Sequence, residues 1–273
     1  MNVATSRTEK PYYIPQADEV EIFRAAYQSR MPVLLKGPTG VGKTRFLEYM
    51  SWDLSETDEQ LRMETVSCND DLTVGDLVGR YVLEGGDTRW IDGPLLSVAR
   101  SGGICYLDEI VEARKDTMVV IHSLSDHRRE LPVSRLGETI TAHEHFQLVV
   151  SYNPGYQSTV KDLKDSTRQR FVAIELGFPP EALEADIVAH EAGVDRQVAE
   201  RLALLARKVR AIQTDMMIEG PSTRVLIHAG RLISRGVPAR RACETAVALA
   251  ISDDVEVHTA IRELVTAVFA ADD

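Results

Sequence analysis

The segment Gly37-Pro38-Thr39-Gly40-Val41-Gly42-Lys43-Thr44 has the form G-x-x-x-x-G-K-T. The apolar run Val33-Leu34-Leu35 precedes it and a helical pattern, Lys43–Leu54, follows it. A strand, this loop and a helix in that order are the context a phosphate-binding loop requires. Glycines let backbone N–H groups approach phosphate oxygens, and the helix turns its positive N-terminus toward them. Lys43 is placed to reach the β and γ phosphates of a nucleotide, and the Thr44 hydroxyl to ligate Mg²⁺. The loop therefore predicts ATP bound with Mg²⁺ and hydrolysed.

Four further motifs lie downstream. Gly103-Ile104-Cys105-Tyr106-Leu107-Asp108-Glu109 is an apolar strand ending in two carboxylates. Asp108 would hold Mg²⁺ through its water shell, and Glu109 would polarise the attacking water. Ser151-Tyr152-Asn153-Pro154 ends another apolar run, where the Asn153 amide could align that water against the γ-phosphate. Asn-Pro is also a plain turn signal. Arg168-Gln169-Arg170-Phe171 closes a helix just before the last strand-like run. Arginine suits the charge that develops on a transferring phosphoryl group, though a helix C-terminus also favours it. Pro221-Ser222-Thr223-Arg224 opens a helix of the second half, from which Arg224 could reach the nucleotide.

Around these motifs the first half alternates short apolar runs with helical patterns, the signature of a covered parallel sheet. Pro32–Lys36, Met63–Ser67, Gly103–Leu107, Phe146–Ser151 and Phe171–Leu176 read as strands buried on both faces. Pro94–Arg100, Lys115–Ser125 and Lys161–Gln169 read as helices. Two segments read as hairpins: 80–92, turning at Glu84-Gly85-Gly86-Asp87, and 130–145. After Gly177-Phe178-Pro179-Pro180 strand-like runs cease. Val198, Leu202, Leu205, Val209 and Ile212 line one helical face, with Asp195 as its N-cap. Further helices start near Glu181, Ser222, Pro238 and Val255.

Composition narrows the function. With 31 basic and 42 acidic residues the net charge is −11, which argues against a surface built to neutralise nucleic-acid phosphates. The three cysteines, Cys68, Cys105 and Cys243, have neither metal nor disulfide spacing, as expected in a reducing cytoplasm. No signal peptide or membrane-length apolar run is visible, and His143 and His145 lack further ligands for a metal.

In this order the five motifs resemble the AAA+ ATPases, from about Tyr12 to the end of the chain. The resemblance implies an α/β fold: a P-loop αβα sandwich with a parallel five-stranded sheet, followed by an all-helical lid. An N-terminal arm would span 1–16, the core 17–177 and the lid 178–273. It implies Walker A at Gly37–Thr44, Walker B at Asp108 and Glu109, sensor 1 at Asn153 and sensor 2 at Arg224. It also implies an arginine finger acting on the neighbouring subunit's ATP. Arg168 and Arg170 both fit that position, and Arg170, directly before Phe171, fits the related RF pattern.

Within that group the chain resembles the CbbQ/NorQ branch of the MoxR proteins. The likeness is carried by Lys10-Pro11-Tyr12-Tyr13-Ile14-Pro15, by Met31–Lys36, by Arg129-Glu130-Leu131-Pro132-Val133 running on to Ala142-His143-Glu144, and by Ser151–Gln157. It implies a homo-hexameric ring that remodels a client metalloenzyme, with an adaptor protein carrying a von Willebrand factor A domain. The client would be rubisco for the CbbQ type, to which the first fifty residues point, and nitric oxide reductase for the NorQ type. The 80–92 hairpin would face the ring's pore. Cys68-Asn69-Asp70-Asp71 has no aromatic paddle, which speaks against simple polypeptide threading through that loop. A nucleic-acid motor shares the motifs but not the charge. A phosphotransferase or GTPase fits the adjacent Asp108-Glu109 less well.

Overall fold

The structure is a computed structural model that describes residues 9–55, 61–154, 163–212 and 220–269. The chain divides into two compact units. One comprises Met1–Lys36, Lys43–Asn153 and Gln157–Glu175, the other Gly37–Gly42, Pro154–Tyr156 and Leu176–Asp273.

The first unit opens with α1 (Glu19–Gln28), β1 (Val33–Lys36), α2 (Lys43–Asp53) and β2 (Met63–Ser67). Helix α1 was not foreseen in the sequence. It buries Val20, Phe23 and Ala26, with Phe23 edge-on to Phe46 of α2 at 5.5 Å. Next come α3 (Val74–Val78), the antiparallel pair β3 (Gly79–Glu84) and β4 (Asp87–Asp92), α4 (Pro94–Ser101) and β5 (Gly103–Asp108). A capping box between Thr73 and Asp76 starts α3. Gly85 and Gly86, at φ 63° and 94°, make the two-residue β3–β4 turn, where both positions need left-handed backbone. Then follow α5 (Lys115–His122), the pair β6 (Glu130–Val133) and β7 (Glu138–Thr141), β8 (Phe146–Tyr152), α6 (Asp165–Arg168) and β9 (Val172–Glu175). The helix read at Lys161–Gln169 is thus observed only over Asp165–Arg168, and Lys161 and Asp162 lie outside the described residues, as do Gly155–Gln157.

The five strands of the sheet run parallel in the order β2-β5-β8-β1-β9. β1, β5 and β8 occupy the middle and are almost wholly buried. β2 and β9 are not buried on both faces as the sequence suggested. They are the edges, and their Glu64 and Glu175 belong to positions that solvent reaches. The apolar core gathers α3, α4 and α5 against this sheet.

The second unit is helical: α7 (Glu181–Ala192), α8 (Arg196–Arg210), α9 (Thr223–Ser234), α10 (Ala239–Cys243), a π-helical turn over Glu244–Ala248, α11 (Leu249–Ile251) and α12 (Val255–Val268). Leu202, Leu205 and Val209 of α8 are fully buried, as their spacing requires. Asp195 occupies the N-cap position, but its side chain makes no capping hydrogen bond. Its core joins α7, α8, α9 and α12 around residues such as Val188, Leu202, Leu226 and Ile261. No helix among the described residues is long and apolar enough to cross a membrane.

Candidate functional site

In an open parallel sheet, ligands bind beyond the carboxyl ends of the strands, near the point where strand order reverses. Here β8 lies between β1 and β5, so three carboxyl ends meet. β1 leads into the Gly37–Thr44 segment, β5 ends at Asp108, and β8 is followed directly by Asn153.

Within the first unit, Lys43 is the first residue of α2 and only 8% exposed. Its Nζ donates to Asn153 Oδ1 at 2.5 Å. The lysine and the amide that the sequence assigned to the phosphate end are therefore brought together. Thr44 stands beside Lys43 on the exposed side.

Asp108 is the last residue of β5, half-buried, and accepts two hydroxyl hydrogen bonds on one oxygen. Tyr106 Oη and Ser151 Oγ each lie 2.5 Å from its Oδ1. Glu109 follows with left-handed backbone, φ 55°, an uncommon conformation for a residue with a side chain and one that recurs at functional sites. Its N–H donates to Ser151 Oγ at 3.1 Å. A short 3-10 turn, Ile110–Glu112, begins immediately after. The two neighbouring carboxylates are thus set at the strand's end by a sharp turn rather than by a continuing strand.

Arg168 ends α6 and pairs with Asp165. Arg170 lies between α6 and β9, exposed, with Nη1 donating to the His122 carbonyl at 3.3 Å. Burial first, and then the positive charges of Arg170 and Lys164, push the His122 imidazole below its usual range.

Within the second unit, the turn carrying Gly40 meets the start of α9. A Cβ on Gly40, at φ +70°, would stand 2.7 Å from Ser222 Oγ and 3.2 Å from Arg224 Cβ. Only glycine fits there. The start of α9 is itself pinned. Buried Glu184 of α7 takes both Nη groups of Arg210 at 2.7 Å and the Thr223 hydroxyl at 2.7 Å. Arg210 also donates to the Pro221 carbonyl through Nε at 2.9 Å, and stacks on Phe178 at 3.9 Å. Sequence reading passed over Glu184. Its signal was position: it lies four residues before Val188 and eight before Ala192, on the buried stripe of α7.

His145 Nδ1 and the Tyr27 hydroxyl share a hydrogen bond at 3.2 Å and the His145 N–H donates to His143 Nδ1, so the pair is engaged locally. No cluster of three or more metal-ligating side chains is present among the described residues. Cys68, Cys105 and Cys243 are all free and buried, and burial raises the thiols of Cys68 and Cys243 to about 12.

The donor set fits Mg-nucleotide. A buried ammonium is hydrogen-bonded to Asn153, an exposed hydroxyl follows it in the chain, and a carboxylate keeps one oxygen clear of its two hydroxyl partners.

Comparison with known proteins agrees. Residues 32–171 match the AAA domain of the dynein-related subfamily, and residues 184–268 match the CbbQ/NirQ/NorQ C-terminal domain. The chain is 51% identical to Protein CbbQ of Hydrogenophilus thermoluteolus over 96% of each chain. It is 51% identical to Protein NorQ of Paracoccus denitrificans over 96% of this chain and 95% of that one. It is 48% identical to the denitrification regulatory protein NirQ of Stutzerimonas stutzeri over 94% and 92%. The fold is similar to that of a RuvB mutant from Thermotoga maritima, with a TM-score of 0.56 and 16% identity over 95% of this chain and 73% of that one. The protein is an ATPase that uses ATP and Mg²⁺, and it belongs to the CbbQ/NirQ/NorQ family of AAA+ ATPases.

Proposed function

We propose that this ATPase forms a homo-hexameric ring in the cytoplasm and uses hydrolysis to remodel a client metalloenzyme. The supporting observation is the extent of the likeness. It covers 96% of the chain, so the hairpins and the helical unit are shared along with the nucleotide loop.

In this reading the backbone N–H groups of Gly37–Gly42 and the Lys43 ammonium bind the phosphates. Thr44 and Asp108 hold Mg²⁺, which when bound neutralises charge on the β and γ phosphates. Glu109 accepts the proton of the attacking water, and Asn153, held by Lys43, aligns that water. Arg224 is assigned the sensor 2 role toward the nucleotide. Arg170, or Arg168 beside it, serves the ATP of the neighbouring subunit, and the exposure of Arg170 suits that role.

The client proposed first is rubisco, freed of inhibitory sugar phosphates, on the likeness of the first fifty residues to the CbbQ type. Nitric oxide reductase is the second reading, because identity to NorQ is equal at 51%. Client recognition is assigned in this reading to a separate adaptor with a von Willebrand factor A domain, whose metal would dock on an acidic client residue. The β3–β4 tip, Leu83–Asp87, with Leu83 77% exposed, is proposed to sense adaptor or client.

The test uses inhibited rubisco. Activity should recover only when this ATPase, its adaptor and ATP are all present. Full recovery with this chain alone overturns the adaptor. No recovery with all three overturns the rubisco reading, and maturation of nitric oxide reductase is then assayed in the same way.

A further inference from the structure

Tyr106 lies two residues before Asp108 on β5, so both side chains point to the same face of the sheet. Tyr106 is fully buried in the middle of the first unit. A buried phenol must place its proton. Here the hydroxyl donates to Asp108 Oδ1 at 2.5 Å. The Ser151 hydroxyl donates to the same oxygen at 2.5 Å, and Tyr106 Oη and Ser151 Oγ are 3.1 Å apart.

The carboxylate takes both hydroxyl protons: Tyr106 O–H and Ser151 O–H donate to Asp108 Oδ1, and Glu109 N–H donates to Ser151 Oγ. One consequence follows from donor and acceptor counts. Asp108, saturated on Oδ1, keeps Oδ2 for the cation's water shell. Ser151 does a second job, because the Glu109 N–H that it accepts fixes the left-handed turn from which the Glu109 side chain departs.

We propose that Tyr106 and Ser151 are positioning residues for the magnesium arm of the site: Tyr106 orients Asp108 toward the ion, and Ser151 joins Asp108 to the Glu109 turn. The proposal rests on Asp108 as a magnesium residue and is independent of the client.

The variants are Tyr106→Phe, which removes one oxygen and keeps the ring, and Ser151→Ala, with Asp108→Asn as reference. Three quantities are read on the assembled full chain: affinity for a fluorescent ADP in EDTA, the Mg²⁺ concentration giving half-maximal turnover, and Mn²⁺ binding to the nucleotide complex by electron paramagnetic resonance. Tyr106→Phe should leave nucleotide affinity in EDTA within twofold. It should raise the Mg²⁺ midpoint and weaken Mn²⁺ binding about tenfold, the size expected for one lost hydrogen bond to a charged group. Ser151→Ala should do the same and also lower turnover at saturating Mg²⁺, which Tyr106→Phe should not. A purely structural role would lower thermal stability and leave the cation midpoint alone. Cation midpoints within twofold of wild type in Tyr106→Phe, or in Ser151→Ala if Tyr106→Phe does not fold, overturn the proposal while Asp108→Asn shifts them. An unshifted Asp108→Asn overturns instead the assignment of Asp108 to the cation.

Discussion

The carboxyl end of β5 and the approach to β9 both carry charged side chains suited to phosphate chemistry, and they are built in opposite ways. Asp108 sits among hydroxyls on its own sheet, with Tyr106 buried behind it and Ser151 bridging to the next residue. Arg170 is exposed and reaches the edge of a neighbouring helix through the His122 carbonyl. A group that serves its own chain's nucleotide gains from being fixed before the ligand arrives, because preorganised groups need no reorganisation in the transition state. A group that serves another chain's nucleotide must project from the surface.

The largest effect should come from the wired end. Glu109→Gln should bind ATP as wild type does yet nearly abolish turnover, since the water loses its base. Lys43→Ala should weaken binding itself, measured by calorimetry. Equal turnover in wild type and Glu109→Gln would remove Glu109 from the chemistry. At the exposed end, Arg170→Ala should lower turnover by about 10³ or more with ATP binding kept, as an arginine finger supplies about 10³–10⁵. Rings mixed from Arg170→Ala and Lys43→Ala chains should regain part of the activity, because some interfaces then combine two intact halves. A monomer isolated by gel filtration that hydrolyses ATP at the full rate would erase the contrast between the two ends.

The same contrast explains what the sequence could disclose. Gly37–Thr44, Asp108 and Asn153 stand where apolar runs stop, and the break in pattern exposes them. All five strands were placed to within two residues for that reason, each being a short apolar run with a polar boundary. Tyr106 and Ser151 lie inside such runs, where hydropathy hides a hydroxyl among its apolar neighbours. Helix α1 escaped because only Val20, Phe23 and Ala26 hold it, and Glu19, 3% exposed, looks like a solvated acid. It accepts instead from the Tyr13 hydroxyl at 2.7 Å and the Gln16 and Ala17 N–H groups at 2.7 and 2.8 Å. Burial of this charged group is decided by hydrogen-bond partners in the segment just before the helix, which periodicity does not report.

The helical unit offers an intermediate effect, on stability. Glu184 is 1% exposed and Arg210 16%, so Glu184→Ala leaves a guanidinium mostly out of water without its partner. That should cost about 3–5 kcal/mol in denaturant unfolding. The exposed pair Arg196–Glu200 on α8 should cost no more than about 0.5 kcal/mol when broken. Equal costs would mean that Glu184 is hydrated in solution and does not pin the start of α9.

The smallest effect tests where Arg170 rests. His122 is held below its ordinary range, by burial first and then by Arg170 and Lys164. A histidine with a depressed folded pKa contributes stability above its unfolded value, near 6.5, and that contribution is lost as pH falls through the folded value. Arg170→Ala removes one of the two positive neighbours and leaves the burial, so the His122 midpoint, followed by its ring proton resonances, should rise slightly toward the ordinary value. The variant should accordingly lose less stability than wild type between neutral and mildly acidic pH. An unchanged midpoint would mean that the guanidinium leaves His122 in solution, and the exposed end would then be freer still than the contact with the His122 carbonyl suggests. A large rise would mean that Arg170, rather than burial, dominates the imidazole, and the side chain would be held in place like the carboxylate end it is contrasted with.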